Sequence, residues 1–115
     1  MTHREAIENT YTDSCSIYNF EDATEGSLTR QQEVAVYVGI PCRVSFSAIS
    51  PAEQKEGTVT KQMTVKLFIA PEIEVKSGSK IVVERNGERI SYSRSGQPAK
   101  YESHQEIMLQ LQEHT

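Results

Sequence analysis

The 115-residue sequence has no tryptophan, and aromatic residues make up only 7% of it. That scarcity argues against a surface built to stack unpaired bases, which needs exposed aromatics beside a basic groove. Positive charge is short as well: 12 Lys and Arg stand against 16 Asp and Glu, a formal charge of −4. Tight, non-specific binding to phosphate backbones needs clustered Lys and Arg, so this balance counts against it without excluding a surface that DNA slides past. Long apolar runs are missing, and none approaches the ~20 residues that cross a bilayer as a helix. The opening residues, MTHREAIENTYT, hold no apolar core of a secretory signal. The expectation is a soluble chain, made in the cytoplasm, with no membrane partner.

Catalytic and metal-binding patterns are also absent. The two cysteines, Cys15 and Cys42, form no C-x-x-C, and His3, His104 and His114 have no second ligand at a metal spacing. No metal and no cofactor is expected. A disulfide between Cys15 and Cys42 is conceivable, but two reduced, buried thiols are the plainer reading. Ser95-Gly96 lacks the G-x-S-x-G frame of a nucleophile elbow. Cys42 with His104 reads as a buried thiol and an exposed ring, not as a dyad. Glu72, Glu74, Glu102 and Glu106 have nothing in the sequence that brings them to a hydrolytic separation. Gly78-Ser79-Lys80 lacks the upstream glycine of a phosphate-binding loop and reads as a turn. The sequence therefore predicts no enzymatic activity.

What the chain does have is strand periodicity. Val34, Val36, Val38, Ile40, Cys42, Val44 and Phe46 all fall on even positions, the mark of a half-buried strand. Gly39 and Pro41 predict a bend or bulge that leaves this phase unchanged, because proline cannot donate to a central ladder. Met63, Val65, Leu67 and Ile69 predict another strand, ended by Ala70-Pro71. Asn86-Gly87 predicts a type I′ hairpin that pairs Arg85 with Glu88, Glu84 with Arg89, Val83 with Ile90 and Ile81 with Tyr92. Thr2 and Glu5 fit a capping box over a short helix at about 3–9. A strand is predicted over 13–20, its apolar faces suggesting cover on both sides, with the helix as one cover. The polar stretch 21–32 reads as a solvated loop, and 93–100 as a turn-rich one. At the C-terminus Ser103 with Glu106 allows a helix cap, but alternation of Ile107, Leu109 and Leu111 favours a strand. Length and turn spacing imply one domain over 1–115. The fold class is mainly β: a small antiparallel β-barrel of about six strands with a short N-terminal helix, since closure removes exposed edges.

Three segments in this order carry a family resemblance. They are Pro41 to Gly57, including Ile49-Ser50-Pro51-Ala52-Glu53; Phe68-Ile69-Ala70-Pro71 followed by Val75-x-x-Gly78-x-x-Ile81; and Tyr101-Glu102-Ser103-His104-Gln105-Glu106. Together, over about residues 12 to 113, they resemble the head-closure (stopper, or head–tail connector) proteins of long-tailed phages, including those of PBSX-like defective prophages. The resemblance implies a structural virion protein: a ring of identical subunits at the particle neck, between portal or adaptor and tail, made in the host cytoplasm. Genomic DNA passes through such a lumen without specific binding. In relatives the loop between the second and third strands narrows the channel. Here it corresponds to Ser47, Ala48, Ile49, Ser50, Pro51, Ala52, Glu53, Gln54, Lys55, Glu56 and Gly57. Position alone makes Phe68 a candidate outward aromatic for a subunit contact. Glu21, Asp22 and Glu25, on the other long loop, are candidates for touching a neighbouring ring. The competing readings are another tail or baseplate β-barrel and a small barrel that binds single-stranded nucleic acid.

Overall fold

The computed structural model describes residues 2–48 and 63–111. Helix α1 (His3–Glu8) is followed by seven strands: β1 (Asp13–Glu25), β2 (Leu28–Ala48), β3 (Met63–Ile69), β4 (Lys80–Arg85), β5 (Glu88–Arg94), β6 (Ala99–Lys100) and β7 (Gln105–Leu111). All pairings are antiparallel. The order β3-β2-β1-β4-β5-β7 closes on itself through β3 and β7, which makes a ring of six strands. The expected mainly β, closed architecture is therefore present. The short β6 adds to the edge of β7 beside β5, within the stretch read as a turn-rich loop.

The core fills the ring. Cys15, Ile17, Cys42, Leu67, Ile69, Ile81, Val83, Tyr92, Ile107 and Leu109 are buried side by side, each on the inward phase of its strand. The Asn86-Gly87 hairpin has the predicted register at every pair. Both turn residues have positive φ, 53° and 79°, as a type I′ turn requires. The C-terminal segment is a strand with Gln105, Ile107 and Leu109 inward. Thr2 caps α1, its Oγ1 accepting from the Glu5 N–H at 3.1 Å. The helix does not cover β1. It lies by β3 and the 70–79 connection, where Arg4 Nη2 donates to Glu72 at 2.8 Å.

Two expectations along β1 and β2 need correction. The stretch 21–32 is not a loop: β1 continues to Glu25 and β2 begins at Leu28, paired without a break from Asn19↔Val34 to Glu25↔Leu28. Gly26, at φ 62°, supplies the tight turn. The second correction is the phase of β2. The register steps from Cys15↔Ile40 to Ile17↔Tyr37 and then Tyr18↔Ala35, so β2 holds an extra residue at each step. Those bulges turn Tyr37 toward the core and leave Val36 and Val38 exposed. Gly39 takes the left-handed φ of 64°, and its N–H donates to Ser16 Oγ at 3.2 Å.

The ring has two distinct ends. The 70–79 connection folds over one, burying Val75. Gln105, fully buried, donates from Nε2 to the carbonyls of Ala70 (2.8 Å) and Ile73, which ties that connection down. Strand direction places the hairpin of 19–34 at this same end. At the opposite end the chain leaves β2 at Ala48 and re-enters at Met63.

Candidate assembly surfaces

The sequence-predicted contact residues fall on three separate parts of the molecule. The first is the hairpin arm. Beyond Tyr18, which pairs with Lys80, β1 has no ladder partner except β2 among the described residues. Residues 19–25 and 28–34 thus form a two-stranded arm about 20 Å long at the usual strand rise. Its base is braced: Ser79 Oγ donates to Asn19 Oδ1 at 2.7 Å, and Lys80 Nζ donates to Glu33 at 2.9 Å while lying 5.1 Å from the Tyr18 ring. Glu21, Asp22 and Glu25 lie on β1 within this arm, so they belong to a strand pair and not to a loop. Glu21 and Asp22 are exposed. Reading 21–32 as a hairpin was within reach, because Gly26-Ser27 is a known two-residue turn pair. What hid it is the absence of an alternating apolar pattern on either side.

The second part is the 47–57 segment. Ser47 and Ala48 are not loop residues: they complete β2, paired with Thr64 and Met63. Ile49, Ser50, Pro51, Ala52, Glu53, Gln54, Lys55, Glu56 and Gly57 lie outside the described residues. The two strand ends that carry this segment belong to the ring end opposite the arm.

The third part is an outer-face cluster around Phe68. Phe68 pairs across the ladder with Arg43, whose guanidinium lies 4.8 Å from the ring centroid. His104 stacks on Phe68 at 5.8 Å and on Tyr101 at 5.0 Å. A carboxylate can only accept, so His104 donates from Nε2 to Glu106 Oε2 at 2.9 Å, and Ser103 Oγ lies 2.9 Å from Nδ1. Lys66 pairs with the other Glu106 oxygen at 3.1 Å. These partners, His104 first and Lys66 next, hold the Glu106 carboxyl below its ordinary range. Phe68 is outward, as expected, but half-buried: with His3, Ala6, Ile7, Thr10, Arg43 and His104 it lines a cleft of about 370 Å³ beside α1.

Residues considered for chemistry are held apart. Cys42 is wholly inside the ring and His104 is on its outer face. The Cys42 thiol is pushed up by its hydrogen bond with Cys15 and by burial, and both cysteines are free. Glu72 is engaged by Arg4 and Glu106 by His104 and Lys66. Among the described residues no group of His, Cys, Asp and Glu could hold a metal ion, and no helix is long and apolar enough to cross a membrane.

The sequence matches no protein-family model and no curated protein. Its fold is similar to a solved structure, the phage-like element PBSX protein xkdH from Bacillus subtilis. The TM-score is 0.52, with 86% of this chain and 93% of that chain covered at 13% identity. At that identity the likeness is one of fold alone.

Proposed function

We propose that this chain is a structural component of a tailed-phage particle or of a prophage-derived one. Its role in this reading is that of a head-closure or head–tail connector subunit. The observation that carries the proposal is the fold likeness to the PBSX protein over nearly the whole length of both chains. The three sequence segments that resemble head-closure proteins support it independently. In this reading copies assemble into a ring at the neck of the particle, in contact with portal or adaptor on one side and tail on the other. The chain acts without catalysis or cofactor, and DNA passes through without specific binding. The two ends of the strand ring suit such a position. One carries the acidic arm and the other the 49–62 connection, so a single subunit offers different surfaces to the rings above and below. Residues 49–57 remain the candidate channel segment.

Deletion of the gene followed by electron microscopy of particles from the induced host tests the role. DNA-filled or leaking heads beside free tails are expected. Normally joined particles would reject a place at the neck.

One observation favours a second reading, a barrel that binds single-stranded nucleic acid. Tyr101, 52% exposed, heads the aromatic stack with His104 and Phe68, and Arg43 stands beside it. Such a platform binds bases only where cations also track the backbone, and Lys66 is already paired with Glu106. Absence of salt-sensitive oligonucleotide binding removes this reading.

A further inference from the structure

The arm of 19–34 is an unusual object for a chain that stands alone. A two-stranded hairpin is marginally stable in water by itself. Here it contributes nothing to the buried core: no residue from 19 to 34 belongs to it or packs against it among the described residues. Among the described residues neither of its edges has a ladder partner. β1 pairs with β4 only over Ser14–Tyr18, and β2 pairs with β3 only over Arg43–Ala48. The open edge of β2 continues from Leu28 past the exposed Val36 and Val38. Strands at a sheet edge are normally blunted with lysine or proline. The arm's own run, 28–34, contains neither and lies beyond the two bulges, with Arg30 and Glu33 as its charged residues.

We infer that the arm is the self-association element: the open β2 edge of one copy pairs with the open β1 edge of the arm in the next copy. This rests on the ring reading above and names the segment that would join the ring. Three features select a second copy as the occupant. The two open edges of the arm have equal length, residues 20–25 and 28–33, because each pairs with the other across the turn. They lie on opposite sides of one arm, so the contact is head-to-tail, the kind that closes into a ring under rotation. Rotation about an axis parallel to the arm preserves strand direction. The β2 strand of one copy therefore meets the β1 strand of the next antiparallel, the better hydrogen-bonding arrangement.

The groups that pair follow from the turn. A two-residue loop makes Glu25 and Leu28 a hydrogen-bonded pair, and bonded pairs alternate from there. The N–H and C=O groups of Asp22, Thr24, Thr29 and Gln31 therefore point outward to the open edges. The arm carries the acids Glu21, Asp22, Glu25 and Glu33, the last paired with Lys80, against Arg30. Neighbouring arms repel, and salt screens that repulsion. Association between copies should strengthen with salt, whereas capture of a basic partner would weaken.

Sedimentation velocity of the full chain over a range of protein and salt concentrations tests this, alongside two variants. Gln31→Pro removes an outward N–H while sparing the internal ladder of the arm. A shortened arm, with residues 22–31 replaced by Asn-Gly, removes both edges and leaves the core intact. Far-UV circular dichroism and a thermal scan verify folding of each. Concentration-dependent association of the natural chain is expected, promoted by salt, with at least a tenfold loss in both variants. A natural chain that stays monomeric at every concentration overturns the inference. Undiminished association of either variant also overturns it, while leaving the ring reading to stand or fall on the deletion phenotype.

Discussion

Single side chains on the outer face set a measurable acid sensitivity. Glu106 accepts from His104 at 2.9 Å and pairs with Lys66 at 3.1 Å. Both favour its charged form, so its folded pKa lies below the usual carboxylate range. A depressed pKa means the unfolded chain binds the proton more readily. The stabilisation is therefore present above the unfolded value of about 4.3, and it is lost as pH falls through the lower folded value. Lys66 is exposed and the cluster lies on the outer face, so the contribution is small, about 0.5–1 kcal/mol on the scale of exposed pairs. Glu106→Gln should lower stability by about that much at neutral pH, on the scale of measured exposed pairs. The difference from the natural chain should shrink as pH falls below the unfolded value and close once pH is below the lower folded value, because both side chains are then uncharged. Urea titrations from neutral to acid pH check it, and a difference that does not shrink as pH falls would show that charge is not the cause. This cluster was only partly legible in the sequence. Phe68 and Lys66 share a strand face by simple alternation. His104 lies on another segment, brought to Phe68 by the closing β3–β7 pairing, in which Phe68 faces Glu106.

The elements differ in how far the sequence declared them. The β4–β5 hairpin was fully readable, because an Asn-Gly turn, an apolar face and opposed charges all agree on one register. β2 was readable as a strand but not in phase: its even-numbered apolar residues continue through two bulges that reverse which side they face. The arm was hidden because none of its described side chains is fully buried, and burial is what writes an alternating pattern into a strand. The same fact predicts its stability. Gly26 holds φ at 62°, where a β-branched residue is strained by roughly 1–2 kcal/mol. Gly26→Val should speed amide exchange in Ala23, Glu25, Leu28 and Arg30, the inward-bonded groups of the arm. Exchange at Ile17 and Ile81 should not change, since local opening need not involve the core. Exchange that rises equally in both places would mean that the arm and ring unfold as one unit.

At the scale of the whole molecule, closure of the ring is the event on which stability turns. Sequence neighbours supply the pairings β1–β2, β2–β3 and β4–β5, but β3–β7 joins Val65–Ile69 to Gln105–Leu109 and satisfies an edge that local hairpins leave open. Ile107, fully buried, stands opposite Leu67 at the centre of that seam. Truncating such a residue leaves a cavity and costs about 2–5 kcal/mol. The two free cysteines report the consequence from the other side of the core. Cys15 and Cys42 are 1% and 0% exposed, and the Cys42 thiol is held in its unreactive form by Cys15 and by burial. Labelling by a thiol reagent therefore requires the ring to open. If opening is global and recloses faster than labelling, the labelling rate follows the equilibrium population of the open form. Ile107→Ala should then accelerate it by roughly 30-fold or more, the lower bound of that cavity cost. An unchanged rate would mean that the thiols are reached by parting β1 from β2 alone. The bulged β2 would then be the weak seam of the ring, and β3–β7 the strong one.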